Sequence, residues 1–88
     1  MYKIVLDIKS MEDAKKLVDI VRRYDFGIDM MSHQYVIDAK SILGLLSLDL
    51  CQPVQLYARC KHASDCKDLM KKVSIFAHDD AQVEFVED

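Results

Sequence analysis

The amino-acid sequence predicts an α+β domain, a two-layer open-faced sandwich in which three helices cover one face of a four-stranded, mostly antiparallel sheet. In four short segments apolar residues alternate with polar ones, a pattern typical of half-buried strands. In three other segments apolar residues recur every three or four positions, as on one face of a helix. These segments follow one another in the order β-α-β-β-α-β-α. That order favours helices packed together on one side of an antiparallel sheet.

The first strand and the first helix are predicted from residues 2–24. Within 2–9, Ile4, Leu6 and Ile8 lie on one side of an alternating pattern. Ser10 then begins a helix signature, with Asp13 three residues later in a capping-box-like arrangement. The apolar stripe of this helix consists of Ala14, Leu17, Val18, Val21 and Tyr24.

The remaining elements are predicted in the same way. The second strand covers 28–32, the third covers 35–39, and His33-Gln34 is a tight turn between them. A fourth strand covers 54–60, and Ser64 and Asp65 are expected to cap a last helix. The apolar stripe of the last helix consists of Cys66, Leu69, Met70, Val73, Phe76 and Ala77.

Length and composition indicate one small domain over 1–78, followed by an acidic tail at 79–88. The chain has 88 residues, of which 51% are hydrophobic and 31% charged. The tail holds five of the fifteen acidic residues and could add a short edge strand. A net charge of −3 gives no electrostatic reason to expect nucleic-acid binding. Because no secretory-signal pattern or membrane-spanning apolar run is evident, a cytoplasmic location is expected, without membrane association.

Cys51, Cys60 and Cys66 make an odd number of cysteines, and without a signal peptide they are expected to be reduced thiols. The spacing Cys60-x-His62-x-x-x-Cys66 raises the alternative of a zinc site. That alternative is disfavoured because no Cys-x-x-Cys pair accompanies it. Cys66 on an apolar helix face is better explained as a small buried hydrophobe. We therefore expect neither a metal nor another cofactor.

The stretch 39–48 is the longest apolar cluster of the chain and predicts a short helix that is apolar on both faces. Asp38 and Ser41 are both candidates for its N-cap. Such a helix is either buried or turns one face towards a partner. For Leu45 and Leu48 we expect core packing.

The string from Lys40 to Leu48, Lys-Ser-Ile-Leu-Gly-Leu-Leu-Ser-Leu, resembles the second-helix signature of HPr. HPr is the histidine-containing phosphocarrier of the bacterial sugar phosphotransferase system, and its family carries Lys-Ser-Ile-Met-Gly-Val-Met-Ser-Leu at this place. The resemblance extends more weakly over residues 2–78. It implies the same element order as the periodicity, and it implies a partner-docking patch formed by Ile42, Leu43 and Leu46.

The phosphoryl-accepting motif of the family, similar to Gly-x-His-x-Arg-Pro, is absent from the start of the first helix. An ungapped alignment from Ser41 places the family's histidine on Ser10, its arginine on Glu12 and its proline on Asp13. A serine phosphoester is too stable to pass its phosphoryl group on, and the two acids would repel a phosphate. We therefore predict no catalytic residue. The histidines of this chain are His33, His62 and His78. They lie away from the start of the first helix, and we expect them to be surface imidazoles.

Ser41 aligns with a regulatory phosphorylation site of HPr-like proteins, so the resemblance implies that it could be phosphorylated. The alternative is that Ser41 only caps its helix. The predicted function is a non-enzymatic regulatory or adaptor module that binds phosphotransferase-system or carbon-regulation proteins. The alternatives are an active phosphocarrier with an unrecognised acceptor, an interaction module of unrelated function, and a metal or redox protein built on the cysteines.

Overall fold

The computed structural model describes residues 1–33 and 35–87. Five strands and three α-helices lie within these residues. The predicted order β-α-β-β-α-β-α is confirmed, and a further strand follows it. His33 has a φ of 54° at the predicted tight turn, whereas Gln34 lies outside the described residues. The elements are β1 (Tyr2–Leu6), α1 (Met11–Val21), β2 (Ile28–Ser32), β3 (Tyr35–Asp38), α2 (Ile42–Leu46), β4 (Val54–Ala58), α3 (Ala63–Val73) and β5 (Glu84–Phe85).

The strands form one sheet in the order β3-β2-β4-β1-β5, and every pairing between its strands is antiparallel. The prediction of four strands is therefore wrong, because β5 pairs with β1 and places Phe85 opposite Tyr2. Reciprocal hydrogen bonds extend this pairing: the Met1 amine donates to Val86 O at 2.9 Å, and Val86 N donates to Met1 O at 2.8 Å. The edge strand suggested for the acidic tail is thus part of the sheet.

The three helices cover one face of the sheet, and the core lies between the two layers. Alternate strand residues point into it, as where Ile4 and Met30 both lie opposite Leu56. Helix α1 packs against both α2 and α3, and α2 also contacts β3. Of the apolar stripe predicted for α1, Ala14, Leu17, Val18 and Val21 are buried, whereas Tyr24 lies beyond the end of the helix and is partly buried.

Helix α3 begins and ends differently from the prediction. It starts at Ala63 with His62 in the N-cap position and no side-chain cap, so Ser64 and Asp65 lie inside the first turn and cap nothing. The helix ends at Val73, after which Ser74–Phe76 form a 3-10 turn. Phe76 is nevertheless buried, so the apolar stripe was correct although the helix is shorter.

Cys60 and Cys66 form a disulfide, with Cα atoms 5.9 Å apart, and Cys51 is exposed and free. The expectation of three reduced thiols is therefore wrong for two of them. The cause is the packing of α3 on the sheet, which places Cys66, the fourth residue of the helix, beside Cys60, the second residue after β4. Sulfurs joined to each other are not thiolates that could bind zinc. Among the described residues, no three or more His, Cys, Asp or Glu side chains are grouped to hold a metal ion.

None of the helices in residues 1–33 and 35–87 combines the length and the apolar character that crossing a membrane requires.

Candidate functional site

The start of α1 is closed by a network of its own side chains. Ser10 Oγ accepts a hydrogen bond from Asp13 N at 3.1 Å, as predicted for an N-cap. The Asp13 carboxylate in turn accepts from Lys9 N at 3.3 Å. Glu12 and Asp13 both lie in the first turn, where negative charge stabilises the helix. The start of α1, where the resemblance places the family's phosphoryl acceptor, therefore carries two carboxylates, and Ser10 is already hydrogen-bonded as the N-cap.

A shallow cavity of about 260 Å³ lies beside this helix start, between α1 and the segment that follows α3. Its polar lining consists of two acids, Asp7 and Asp13, and two lysines, Lys9 and Lys16. The mixed charge gives this cavity no net attraction for an anion. No histidine or cysteine is among its lining residues, and no arginine is there to hold a phosphate.

His78 lies near this cavity and is held by Asp7. The imidazole Nδ1 is 2.9 Å from Asp7 Oδ2, and Nε2 is 3.3 Å from Asp79 Oδ2. The hydrogen bond to Asp7, supported by attraction to both carboxylates, raises the pKa of His78 above its ordinary value of 6.5. A phosphate approaching either ring nitrogen would meet a carboxylate. The side chain is only partly exposed, so describing it as a surface imidazole missed its pairing across 71 residues.

The other two histidines are exposed, as predicted. His33 lies at the turn after β2, and His62 occupies the N-cap position of α3. His62 lines a cavity of about 210 Å³ that also contains Asp25, Lys61 and Asp65. Its position at a helix start, beside a lysine, was not expected from the sequence.

Ser41 is the N-cap of α2, and its Oγ accepts from Gly44 N at 3.1 Å. Asp38, the other candidate, accepts from Lys40 N at 2.9 Å and does not cap the helix. The Lys40 ammonium donates to the carbonyls of Tyr24 and Phe26, at 2.6 and 3.0 Å. These bonds join the residue before the Ser41 cap to the segment after α1, and so fix the start of α2.

Helix α2 exposes part of its apolar surface. Leu45 and Leu48 are buried, as predicted for core residues. Leu43 is 79% exposed, Leu46 is 36% exposed, and Ile42 is partly buried. Ile42, Leu43 and Leu46 form what we call the α2 patch. Clustered exposed apolar side chains are typical of surfaces that bind other proteins.

The structure does not bring all the predicted site residues together. The Arg22 side chain, at the end of α1, donates from Nε to Lys40 O at 3.0 Å, so Ser41 lies near the C-terminal end of α1. Ser10 and Glu12 lie at the other end of this eleven-residue helix, about 16 Å away along its axis. Ser10, where the resemblance places the family's histidine, and the α2 patch therefore lie at two separate places on the helix layer.

Comparison with known proteins identifies the fold. No family model and no curated protein matches the chain. Among solved structures, it is similar to the crystal structure of HPr-C-His from Thermoanaerobacter tengcongensis, with a TM-score of 0.67. The two share 23% sequence identity over 83% of this chain and 91% of that chain. The fold is thus that of an HPr-type protein, as the resemblance implied.

Proposed function

We propose that this chain is a non-enzymatic regulatory or adaptor module on an HPr-like fold, which binds partner proteins through the α2 patch and carries no phosphoryl group on α1. The observation that carries the proposal is the exposure of Leu43 and Leu46 on a helix whose other leucine, Leu45, is fully buried. A five-residue helix that buries only one of its leucines leaves the others available to a partner.

The α1 start supports the second half of the proposal. A phosphocarrier needs a nucleophile that also releases the phosphoryl group, and cations or free amides to hold the charge. Here Ser10 is engaged as a cap, and Glu12 and Asp13 add negative charge. On the likeness in fold, we take the partners to be proteins of the phosphotransferase system or of carbon regulation, in the cytoplasm.

Phosphoryl transfer is tested directly with radiolabelled phosphoenolpyruvate and enzyme I of the phosphotransferase system. We expect no acid-labile phosphate on the parent protein, with an authentic HPr labelled in a parallel reaction. If the alternative of an active phosphocarrier holds, His62 is the candidate acceptor, because it lies at the start of an eleven-residue helix. Acid-labile label that disappears in His62→Gln would replace our proposal with an active phosphocarrier. Label lost in His33→Gln or His78→Gln would do the same.

The α2 patch is tested by capture of partners from lysate of the native host. The double variant Leu43→Asp, Leu46→Asp should lose a partner that the parent retains, because two carboxylates cannot be buried in an apolar interface. The matched control is Val36→Asp, an exposed apolar residue on β3. A partner that binds both variants like the parent would show that the α2 patch is not the docking surface.

Phosphorylation of Ser41 is a separate proposal. A phosphate there would add roughly −1.5 to −2 charges beside Ile42 and Leu43, and should weaken partners that bind the α2 patch. Mass spectrometry of the protein from its own host, grown on several carbon sources, tests this. Finding no phosphate at Ser41, together with equal partner affinity for Ser41→Asp and the parent, would leave this serine as a helix cap alone.

A further inference from the structure

An apolar groove of about 430 Å³ runs between α3 and the C-terminal segment, at the opposite edge of the sheet from the strand that α2 contacts. Tyr2 and Met70 line its inner part, and Val83 lines its outer wall. Lys67 and Lys71 lie along its rim. This groove shares no residue with the α2 patch.

The groove exists because β5 extends the sheet beyond the helix layer. Phe85 faces the same side of the sheet as its neighbour Tyr2, and their rings contact edge to face with centroids 5.3 Å apart. On that side Val83 remains 43% exposed and Phe85 66% exposed. Apolar side chains on the inner face of a sheet normally pack against another layer. Beside α3, the inner face of the sheet at β5 remains apolar, and no helix in the described part of the chain covers it.

The charges along the rim are all positive. Lys67 and Lys71 are four residues apart on α3, so both project along the same side of the helix. Within residues 1–33 and 35–87 neither forms an ion pair, whereas the neighbouring Lys72 pairs with Asp68 at 3.2 Å. Binding pockets of 300–1,000 Å³ are typically apolar with a few placed polar groups. An apolar groove with two lysines therefore fits a ligand with an apolar body and an anionic head.

The length of the groove limits the ligand. It extends along α3 from Cys66 to Ser74, which is about 12 Å at the helical rise of 1.5 Å per residue. A second copy of this chain is a poor occupant, since a two-fold contact along α3 would place Lys67 and Lys71 against the same lysines. Like charges in such a contact are destabilising.

We propose that the groove binds a single-chain fatty carboxylate of medium length. The alkyl chain lies along Tyr2, Met70 and Val83, and the carboxylate lies beside the ammonium groups of Lys67 and Lys71. No covalent step is involved. The proposal does not depend on the adaptor function, because the two surfaces lie at opposite edges of the sheet.

Decanoate is the probe, added to the intact ¹⁵N-labelled protein below its micelle concentration and followed by amide chemical shifts. The shifts should be concentrated at Tyr2, at the end of the chain near Val83, and along α3. Decyltrimethylammonium has the same chain and the opposite charge, and should bind at least tenfold more weakly because the lysines repel it. Binding of this cation as tightly as decanoate would overturn the proposal.

Val83→Glu should weaken decanoate binding at least tenfold, since it places a carboxylate in the groove at an exposed position. Lys71→Gln should weaken it severalfold. The matched controls are Val36→Glu on β3 and Lys15→Gln on α1, which should bind like the parent. Circular dichroism melting of each variant separates a lost site from a lost fold.

Three further results would overturn the proposal: unchanged binding by Val83→Glu, shifts confined to the α2 patch, or tighter binding of an acidic amphipathic peptide. The peptide has fourteen residues, with leucines at helical spacing and glutamates on the other face. Its tighter binding in the same groove would assign the surface to a partner helix.

Discussion

The contact between His78 and Asp7 shows how one residue can connect the two ends of the chain. It joins the segment after α3 to the residue that follows β1, where Asp7 N also donates to Phe76 O at 2.7 Å. Because the folded-state pKa of His78 is raised, the protonated imidazole stabilises the fold. This contribution is complete below the ordinary histidine pKa of 6.5 and is lost as the pH rises through the raised value.

His78→Gln should therefore lower Tm most at a pH below 6.5, and the difference from the parent should shrink at alkaline pH. The measurement is thermal denaturation of both proteins across this pH range. His62→Gln is the control, since His62 is exposed and forms no ion pair with a carboxylate among the described residues. A difference for His78→Gln that is constant with pH would contradict the assigned role of the ion pair.

Ser41 makes a second contribution that belongs to a single residue. Ser41→Ala should lower the free energy of unfolding by about 1 kcal/mol, because the hydrogen bond to Gly44 N is lost. Ser41→Asp should be close to the parent, since aspartate is also a good N-cap. Urea denaturation measures both. Ser64→Ala is the control, and it should change stability by no more than about 0.5 kcal/mol because Ser64 caps nothing.

At the scale of an element, α2 carries one fully buried leucine, Leu45, and one exposed leucine, Leu43. Leu45→Ala should cost roughly 2–5 kcal/mol of unfolding free energy, since it opens a cavity at a fully buried position. Leu43→Ala should change stability by about 0.5 kcal/mol at most, because Leu43 is exposed. Denaturant unfolding of the two variants compares them on the same helix. Similar losses for both would mean that Leu43 is packed and not available to a partner.

The disulfide Cys60–Cys66 connects the segment after β4 to the first turn of α3, a helix that has no side-chain cap. Without reductant, a thiol reagent should modify only Cys51, and with dithiothreitol it should modify all three cysteines. Closing a loop of this length is worth about 2 kcal/mol in the chain-entropy account, so reduction should lower Tm. Three reactive thiols before reduction would contradict the disulfide. They would fit the predicted cytoplasmic location, where disulfides are rare.

At the scale of the whole molecule, local patterns predicted most of the architecture. Alternation and helical spacing predicted which side chains of β1, α1 and α3 point into the core, because that pattern is set by residues close together in the sequence. The Ser41 cap was also predictable, since a cap depends on the next three residues. For α2, which is apolar all round, periodicity did not determine that Leu45 would be buried and Leu43 exposed. That choice depends on how the helix packs against β3 and α1.

The features that the sequence revealed only weakly or not at all depend on distant residues. Strand β5 was suggested but not counted in the predicted sheet, because two residues are too few for alternation to be distinguished from chance, and it exists because β1 offers an unpaired edge. His78 and Asp7 are 71 residues apart, and no local pattern links them. Helix α3 starts at Ala63, before Ser64 and Asp65, the two residues that favour N-cap positions. The disulfide from Cys60 holds Cys66, the fourth residue of this helix.

The position of β1 between β4 and β5 has a consequence for how the protein is made. On the ribosome β1 is synthesised first, yet both of its neighbours in the sheet are synthesised in the second half of the chain. The hairpin of β2 and β3 and helix α1 can form early, since their contacts are local. Ile4 and Leu6 of β1 have no strand to pair with until residues 54–58 emerge. A nascent chain that has not reached β4 therefore carries an unpaired apolar strand, which is a substrate for chaperones and a starting point for aggregation.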